Sequence, residues 1–402
     1  MAPDCTIDDR LFTESRLRLY GSLLPILYLL VTGILAWRGL WGIGSTGTSQ
    51  LTDFLAMYSA GLQTILGHPA ETYGLAVLKD LQTQIVGDFS GYLPWPYPPT
   101  FLLIAVPIAV LPYLAGLLVW MGATLIAYMA AGYAIIPRRL TFLLALSLPL
   151  TAVNLLDVQN GFLTAALIGG TLALLDRRPW LAGILLGLLA YKPHFGLLFP
   201  LVLAAAGRWR VIAAAAVTLL MSAAASYLAF GGDCWAAYLQ FASENANLTL
   251  EQGVTGWGKL QSVYGLVRWL GGGSALAWTL HGGMALATTV LVCLLWLRPA
   301  PYALRAAALA LGALAVTPYL LPYDLAVLAV PIAFMVQEGL KVGFPAGERT
   351  ALALIAAAPL ALTLAGDDFP VGPILIAGTM ALVLRRLGAL PVWLRAAPAA
   401  SH

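Results

Sequence analysis

Two side chains stand where an apolar chain tolerates charge least. Lys192 lies in Tyr191-Lys192-Pro193-His194, between two short apolar runs and with no arginine near it; it is one of only four lysines. A charge at the centre of a membrane helix costs about 2.5–3.5 kcal/mol on insertion scales. Lys192 either snorkels to the interface or serves as a cation for a lipid phosphate, with His194 as a second donor. Asp53 opens the stretch Asp53–Leu66, in which Leu55, Tyr58, Leu62 and Ile65 recur at helical spacing. Thr52 or Asp53 could cap that helix. Asp53 could also be a carboxylate at the membrane surface that takes a proton from an acceptor hydroxyl. A helix N-terminus would favour its ionised form in either role. One such base and one such cation, with tyrosine and histidine donors, would suffice to move a group off a phosphate.

Three further polar breaks interrupt apolar runs. Trp95-Pro96-Tyr97-Pro98-Pro99 carries three prolines in five residues, which bar a helix until Pro99 at a first turn. Trp95 and Tyr97 read as interfacial anchors or as rings that stack on a sugar or prenyl chain. Asn154-Leu-Leu-Asp157-Val-Gln159-Asn160-Gly161 places Asp157, Gln159 and Asn160 where they are costly unless they line an aqueous cavity. Thr317-Pro-Tyr319-Leu-Leu-Pro-Tyr323-Asp324 sets two prolines and two tyrosines before a helix that Asp324 could cap.

Composition says what must position these residues. The 402-residue chain is 60% hydrophobic and 10% charged, with a mean hydropathy of +0.86. A soluble domain carries about 25% charged residues. An ordinary soluble enzyme, a disordered chain and a disulfide scaffold are excluded, which leaves an all-α polytopic membrane protein. A net charge of +3 gives no case for nucleic acid. Cys5, Cys234 and Cys293 are far apart and His68, His194, His281 and His402 are scattered, so neither a metal site nor a cofactor is expected.

Apolar runs begin at Leu17–Trp37. Pro99–Ile136 follows, too long for one crossing and broken at Pro107 and Pro112, and then ten shorter runs. About 12–13 transmembrane helices are expected. The polar residues 1–16 are unlike a secretory signal and read as a cytoplasmic leader; 392–402 read as a cytoplasmic tail. A single domain fills 17–391, with large outer loops at 38–98 and 231–273. Arginines at 138/139, 177/178, 208/210, 298/305 and 385/386 mark the cytoplasmic face. One conflict stays open. Leader and Arg138 on one face demand an even number of crossings before residue 138, whereas Leu17–Trp37 plus two crossings in Pro99–Ile136 make three. Either the second region contains a re-entrant piece or Arg138/Arg139 break the rule. Asp53–Leu66 is expected to lie in the interface plane.

The breaks in this order resemble membrane glycosyltransferases of family 87: Asp53 and Tyr58-x-Ala in a long first outer loop, Tyr97-Pro-Pro, a Gln/Asn break, Lys192-Pro, and a late Pro…Tyr323-Asp324. The resemblance spans roughly residues 17–340. It implies a GT-C-like bundle with interfacial helices in the first outer loop. It also implies a polyprenyl-phosphate monosaccharide donor, commonly of mannose, and inverting transfer to a lipid or glycan acceptor on the extracytoplasmic face of a bacterial inner membrane. On it, Asp53 maps to the catalytic aspartate and Lys192 to the Lys-Pro lysine. The late motif departs from the Ser-Pro…His-Tyr type of mycobacterial members. The carboxylate pair of a glycoside hydrolase is not evident. Two rivals are a transporter or flippase of lipid-linked sugars, and a lipid-binding assembly partner. The absence of internal repeats disfavours the transporter.

Overall fold

The computed structural model describes residues 8, 11–38, 53–89, 93–365 and 369–388. Thr52, most of the leader, residues 366–368 and the 392–402 tail lie outside the described residues. The described residues form helices and no strands. Five helical stretches are long and apolar enough to cross a membrane: Glu14–Trp37, Tyr113–Ile135, Trp209–Glu251, Ser274–Leu297 and Pro322–Val342. Leu140–Ser147 and Pro149–Asp157, bent by 60°, make a sixth if taken as one span. The apolar helices beside the sequence breaks, such as Pro99–Ala109, Gly161–Leu174 and Tyr302–Ala315, are shorter.

Helix α1 (Glu14–Trp37) lies against α6 (Leu140–Ser147), and its Tyr28 hydroxyl donates to Ser147 O (3.0 Å). Helices α2 (Phe54–Ile65), α3 (Leu75–Val86), α4 (Pro99–Ala109) and α5 (Tyr113–Ile135) come between them. Helix α2 is enclosed by protein rather than laid bare on its apolar face. Phe54 through Gly61 are all buried, together with Gln63, and Gly61 packs against the Ala105 carbonyl of α4. The small residues opposite its apolar stripe are the reason. Ala56, Ser59, Ala60 and Gly61 allow close approach, and the Ser59 hydroxyl is satisfied by Leu55 O (2.7 Å) within the helix.

The lengths and packing of α4 and α5 bear on the crossing conflict. Phe101, near the start of α4, faces Trp120 of α5 (5.9 Å between rings). Ile108, near its end, meets Gly116, whose Cβ position is 3.0 Å from the Ile108 carbonyl. Eleven residues rise about 16 Å, half of a hydrocarbon core of about 30 Å. Helix α4 therefore runs beside the first part of α5 only and returns to the face where α5 begins. The region thus pairs one half-length helix with one helix long enough to span, the arrangement that the re-entrant alternative expects.

Helices α7 (Pro149–Asp157), α8 (Gly161–Leu174), α9 (Pro179–Leu188) and α10 (Leu198–Ala205) follow. The long helix α11 (Trp209–Ala246) breaks at Gly231, where φ is 82° and ψ 168°, a backbone open to glycine alone. Much of the expected 231–273 loop is thus the outer part of α11, followed by α12 (Val263–Trp269). Helices α13 (Ser274–Leu297), α14 (Tyr302–Ala315), α15 (Ala329–Val342), α16 (Glu348–Ala365) and α17 (Gly372–Gly388) complete the chain.

Helix α9 meets α11 through Gly183 and Gly187, whose Cβ positions would overlap Ala214, Val211 O, Thr218 and Ala215 O. This is the small-xxx-small contact by which membrane helices pack without a hydrophobic drive. Gly183→Leu and Gly187→Leu should each lower the thermal midpoint of the detergent-purified protein markedly. Gly196→Ala, where a Cβ would meet nothing within 4 Å, should leave it unchanged.

Candidate active site

Helices α8 and α14 have 14 residues each and rise about 21 Å, short of the 30 Å or so of the bilayer core. Arg177 and Arg178 follow α8, and Arg298 precedes α14. The Asn154–Gly161 and Thr317–Asp324 breaks adjoin the ends of these helices away from the arginines, and the fold brings the Tyr191–His194 break alongside them.

At the first break, α7 ends at Asp157 and Val158 takes a left-handed conformation (φ 48°, ψ 44°). Val158 is the only non-glycine residue with positive φ among the described residues. A β-branched side chain is strained there, and such strain gathers at functional sites. The turn lets α8 start two residues beyond Gln159. Asn154, with its amide turned to satisfy both ends, accepts from Phe162 N (2.9 Å) and Gly161 N (3.2 Å) and donates to Gln159 O (2.8 Å). Gly161 is obligatory, since a Cβ would overlap both the Asn154 side-chain amide and the Tyr323 carbonyl.

Gln159 donates from Nε2 to Asp53 Oδ2. Asn160 donates to the Tyr97 hydroxyl (2.6 Å), which lies 3.5 Å from Gln159 Oε1. Asp53 stands at the N-cap of α2 yet makes no side-chain cap bond, so capping does not account for it. Withdrawal from water pushes its pKa above the ordinary value. The Gln159 hydrogen bond and the positive charges of Lys192 and Lys259 work against that rise, and Asp324 adds to it. Burial, with Asp53 and Asp324 near, likewise raises the Tyr97 hydroxyl, which stays a proton donor. Asp157 is partly exposed and lies within the electrostatic reach of Asp53 and Lys259.

Lys192 does not snorkel. It is 4% exposed and donates to Asp324 Oδ1 (2.6 Å), beneath the rings of Tyr323 (4.6 Å), Phe195 (5.8 Å) and Tyr97 (5.9 Å). Asp324 does cap, because its Oδ2 accepts from Leu321 N (3.1 Å), but its other oxygen is committed to Lys192. The half-buried His194 packs on Phe195 (4.5 Å), and its Nε2 has no partner among the described residues. Lys192, Asp324, Tyr323, Tyr97, His194 and Tyr319 line one cleft of about 300 Å³.

Not every expected residue reaches this cleft. Asp53, Asp157, Gln159 and Asn160 lie outside its lining, and Gln159 and Asn160 meet it through Tyr97. Tyr58 is buried against Phe54 and Tyr113, and its hydroxyl donates to Leu111 O (2.9 Å), so it binds α2 to the α4–α5 turn rather than to a substrate. Trp95 is 1% exposed and stacked on Phe101 (5.4 Å); it is neither an interfacial anchor nor a sugar platform. Asn245, Tyr238 and Tyr191 line the cleft without having been singled out. Asn245 and Tyr238 fell within the span read as a loop. Tyr191 adjoins Lys192, and its hydroxyl pairs with Thr164 (2.6 Å). Among the described residues, no three His, Cys, Asp or Glu side chains gather as a metal would need.

A comparison with protein-family models matches residues 95–321, more than half of the chain, to glycosyltransferase family 87. The chain belongs to glycosyltransferase family 87. The match covers four walls of the cleft, Tyr97, Lys192, His194 and Tyr319, and stops just before Tyr323 and Asp324; Asp53 lies ahead of it. No curated protein and no solved structure matches the chain. The protein is a membrane glycosyltransferase, and the transporter and assembly-partner readings give way to it.

Two outcomes test this geometry in the family 87 enzyme. Asp324→Leu leaves Lys192 buried and unpaired and should cost about 3–5 kcal/mol of stability. The double variant Lys192→Met/Asp324→Leu should recover most of that loss in thermal or denaturant unfolding and remain without transfer activity. Gly161→Ala should separate the Gln159 and Tyr323 segments, and abolish glycosyl transfer in a protein that still purifies as a folded species.

Proposed function

We propose that the enzyme moves a hexose, mannose in the first instance, from a polyprenyl-phosphate monosaccharide to a hydroxyl of a lipid or glycan acceptor, with inversion. The observation that carries this reading is the buried Lys192, held by Asp324 at the cleft. A lysine ammonium has three N–H donors. Asp324 takes one, and the others remain for a phosphate oxygen. His194 adds a donor in the tautomer protonated at Nε2. The prenyl chain of the donor, in this reading, stays in the bilayer and its phosphate enters the cleft beside the short helices.

In this reading Asp53 accepts the proton of the acceptor hydroxyl as its oxygen attacks the anomeric carbon. The carbon–oxygen bond to the phosphate breaks on the opposite face, and the electron pair leaves with the phosphate. Lys192 and His194 meet the charge that develops there, the kind of preorganised stabilisation that contributes most in a site shielded from water. Gln159 holds Asp53 in place, and Tyr97 separates the base from the phosphate cradle. Asp157 shares the acceptor side. The arginine clusters, in this reading, mark the cytoplasmic face, and the cleft faces outward, toward the periplasm if the membrane is a bacterial inner membrane.

A base works only when ionised. The pKa of Asp53 is raised above 3.8, so kcat/KM should fall on acidification at a pH higher than an ordinary aspartate would give. Asp53→Asn should lower transfer from a radiolabelled prenyl-phosphate sugar by about 10²–10⁴-fold and remove that acid limb. Near-wild-type transfer by Asp53→Asn would exclude it as the base.

A further inference from the structure

The cleft has a second polar end that the phosphate chemistry does not use. Asn245, in the last turn of α11, is half-buried and donates from Nδ2 to the Tyr319 hydroxyl (2.7 Å); both residues line the same cleft as Lys192. The second N–H of the amide and its Oδ1 have no partner among the described residues. A side-chain amide has two donors and two acceptor lone pairs. Asn245 therefore presents a donor beside an acceptor, the pattern that grips one hydroxyl twice or two neighbouring hydroxyls once each.

This amide sits on a rigid element. The Gly231 break redirects the outer part of α11, which then packs on the turn at Pro69–Tyr73; Tyr238 lies on the Tyr73 ring (5.7 Å between centroids) and Cys234 Sγ contacts Pro69 O (3.6 Å). The Tyr73 hydroxyl donates to Tyr97 O (2.9 Å), so the same turn braces the opposite wall. About 300 Å³ is at the small end of ligand pockets. A single pyranose with its phosphate suits such a space, and a longer glycan does not.

We infer that Asn245, oriented by Tyr319, reads the hydroxyls of the transferred sugar and selects which hexose the enzyme accepts. This rests on the donor reading above. A site built to hydrogen-bond a hydroxyl leaves its own polar groups unpaired when that hydroxyl is missing, and so it rejects the deoxy analogue. The Tyr319 bond fixes the amide so that the unused N–H and Oδ1 are left for the ligand.

The test uses the full-length enzyme in lipid nanodiscs with polyprenyl-phosphate mannose, glucose and the monodeoxy analogues of the better donor. The wild type should discriminate against one deoxy analogue by at least about 100-fold in kcat/KM. Asn245→Ala should slow the parent sugar and leave that analogue nearly unchanged, so that the ratio collapses to a few-fold. Tyr319→Phe, which keeps the ring, should weaken the ratio in the same direction. If Asn245→Ala slows every sugar by the same factor, the amide only ties α11 to the Thr317–Asp324 segment and the inference is overturned. If the wild type transfers from no prenyl-phosphate sugar, the donor reading fails and takes the inference with it.

Discussion

Lys192 and Asp324 lie 132 residues apart in the chain and meet within 2.6 Å. Either alone would be an uncompensated charge in a medium that solvates it poorly. Their contact is the constraint on which the rest of the site hangs. It fastens the Tyr191–His194 break to the Thr317–Asp324 break. Asp324 also accepts from Leu321 N, so the loop that carries it cannot swing away. Gly161 admits the Tyr323 carbonyl and brings the third break alongside. Tyr97 then closes the set by pairing with Asn160, and Gln159 reaches out to Asp53.

The breaks face one another for a reason that precedes any chemistry. A helix that ends inside a bilayer leaves backbone carbonyls and amides that lipid cannot satisfy. Such ends persist only where they turn toward protein or toward water. Several of them pointed at one centre produce a polar chamber, and the bonds of Asn154, Asn160 and Asp324 to neighbouring backbone and side chains serve that need first. The groups proposed for sugar transfer stand on this framework. The glycine contacts of α9 with α11 hold the same arrangement from outside the chamber.

Much of this was legible in the chain. Lys192, Asp324, Gln159 and Asn160 stood out because polar groups in apolar runs are expensive, and that cost is a local property of sequence. Their partners were not legible, because pairing is set by which helix ends converge. Capping and ion pairing both hold for Asp324, and no spacing rule separates them. Helix α2 misled for a different reason. An apolar stripe reads alike whether it faces lipid or protein, and only the small residues on its other side, with Ser59 satisfied internally, reveal a helix enclosed by neighbours. Tyr58 and Trp95 looked like binding aromatics by type and position, yet their rings fill the space among α2, α4 and α5. Asn245 stayed hidden because the glycine-rich start at 231 suggested a loop where a redirected helix continues.

The short length of α4 bears on how the protein is made. The insertion machinery meets α4 and α5 as one nearly continuous apolar stretch broken only at Pro107 and Pro112, so hydropathy alone does not tell them apart. Helix α2, whose Gly61 face receives α4, precedes α4 in the chain and is synthesised first, so the surface that encloses α4 exists before α4 does.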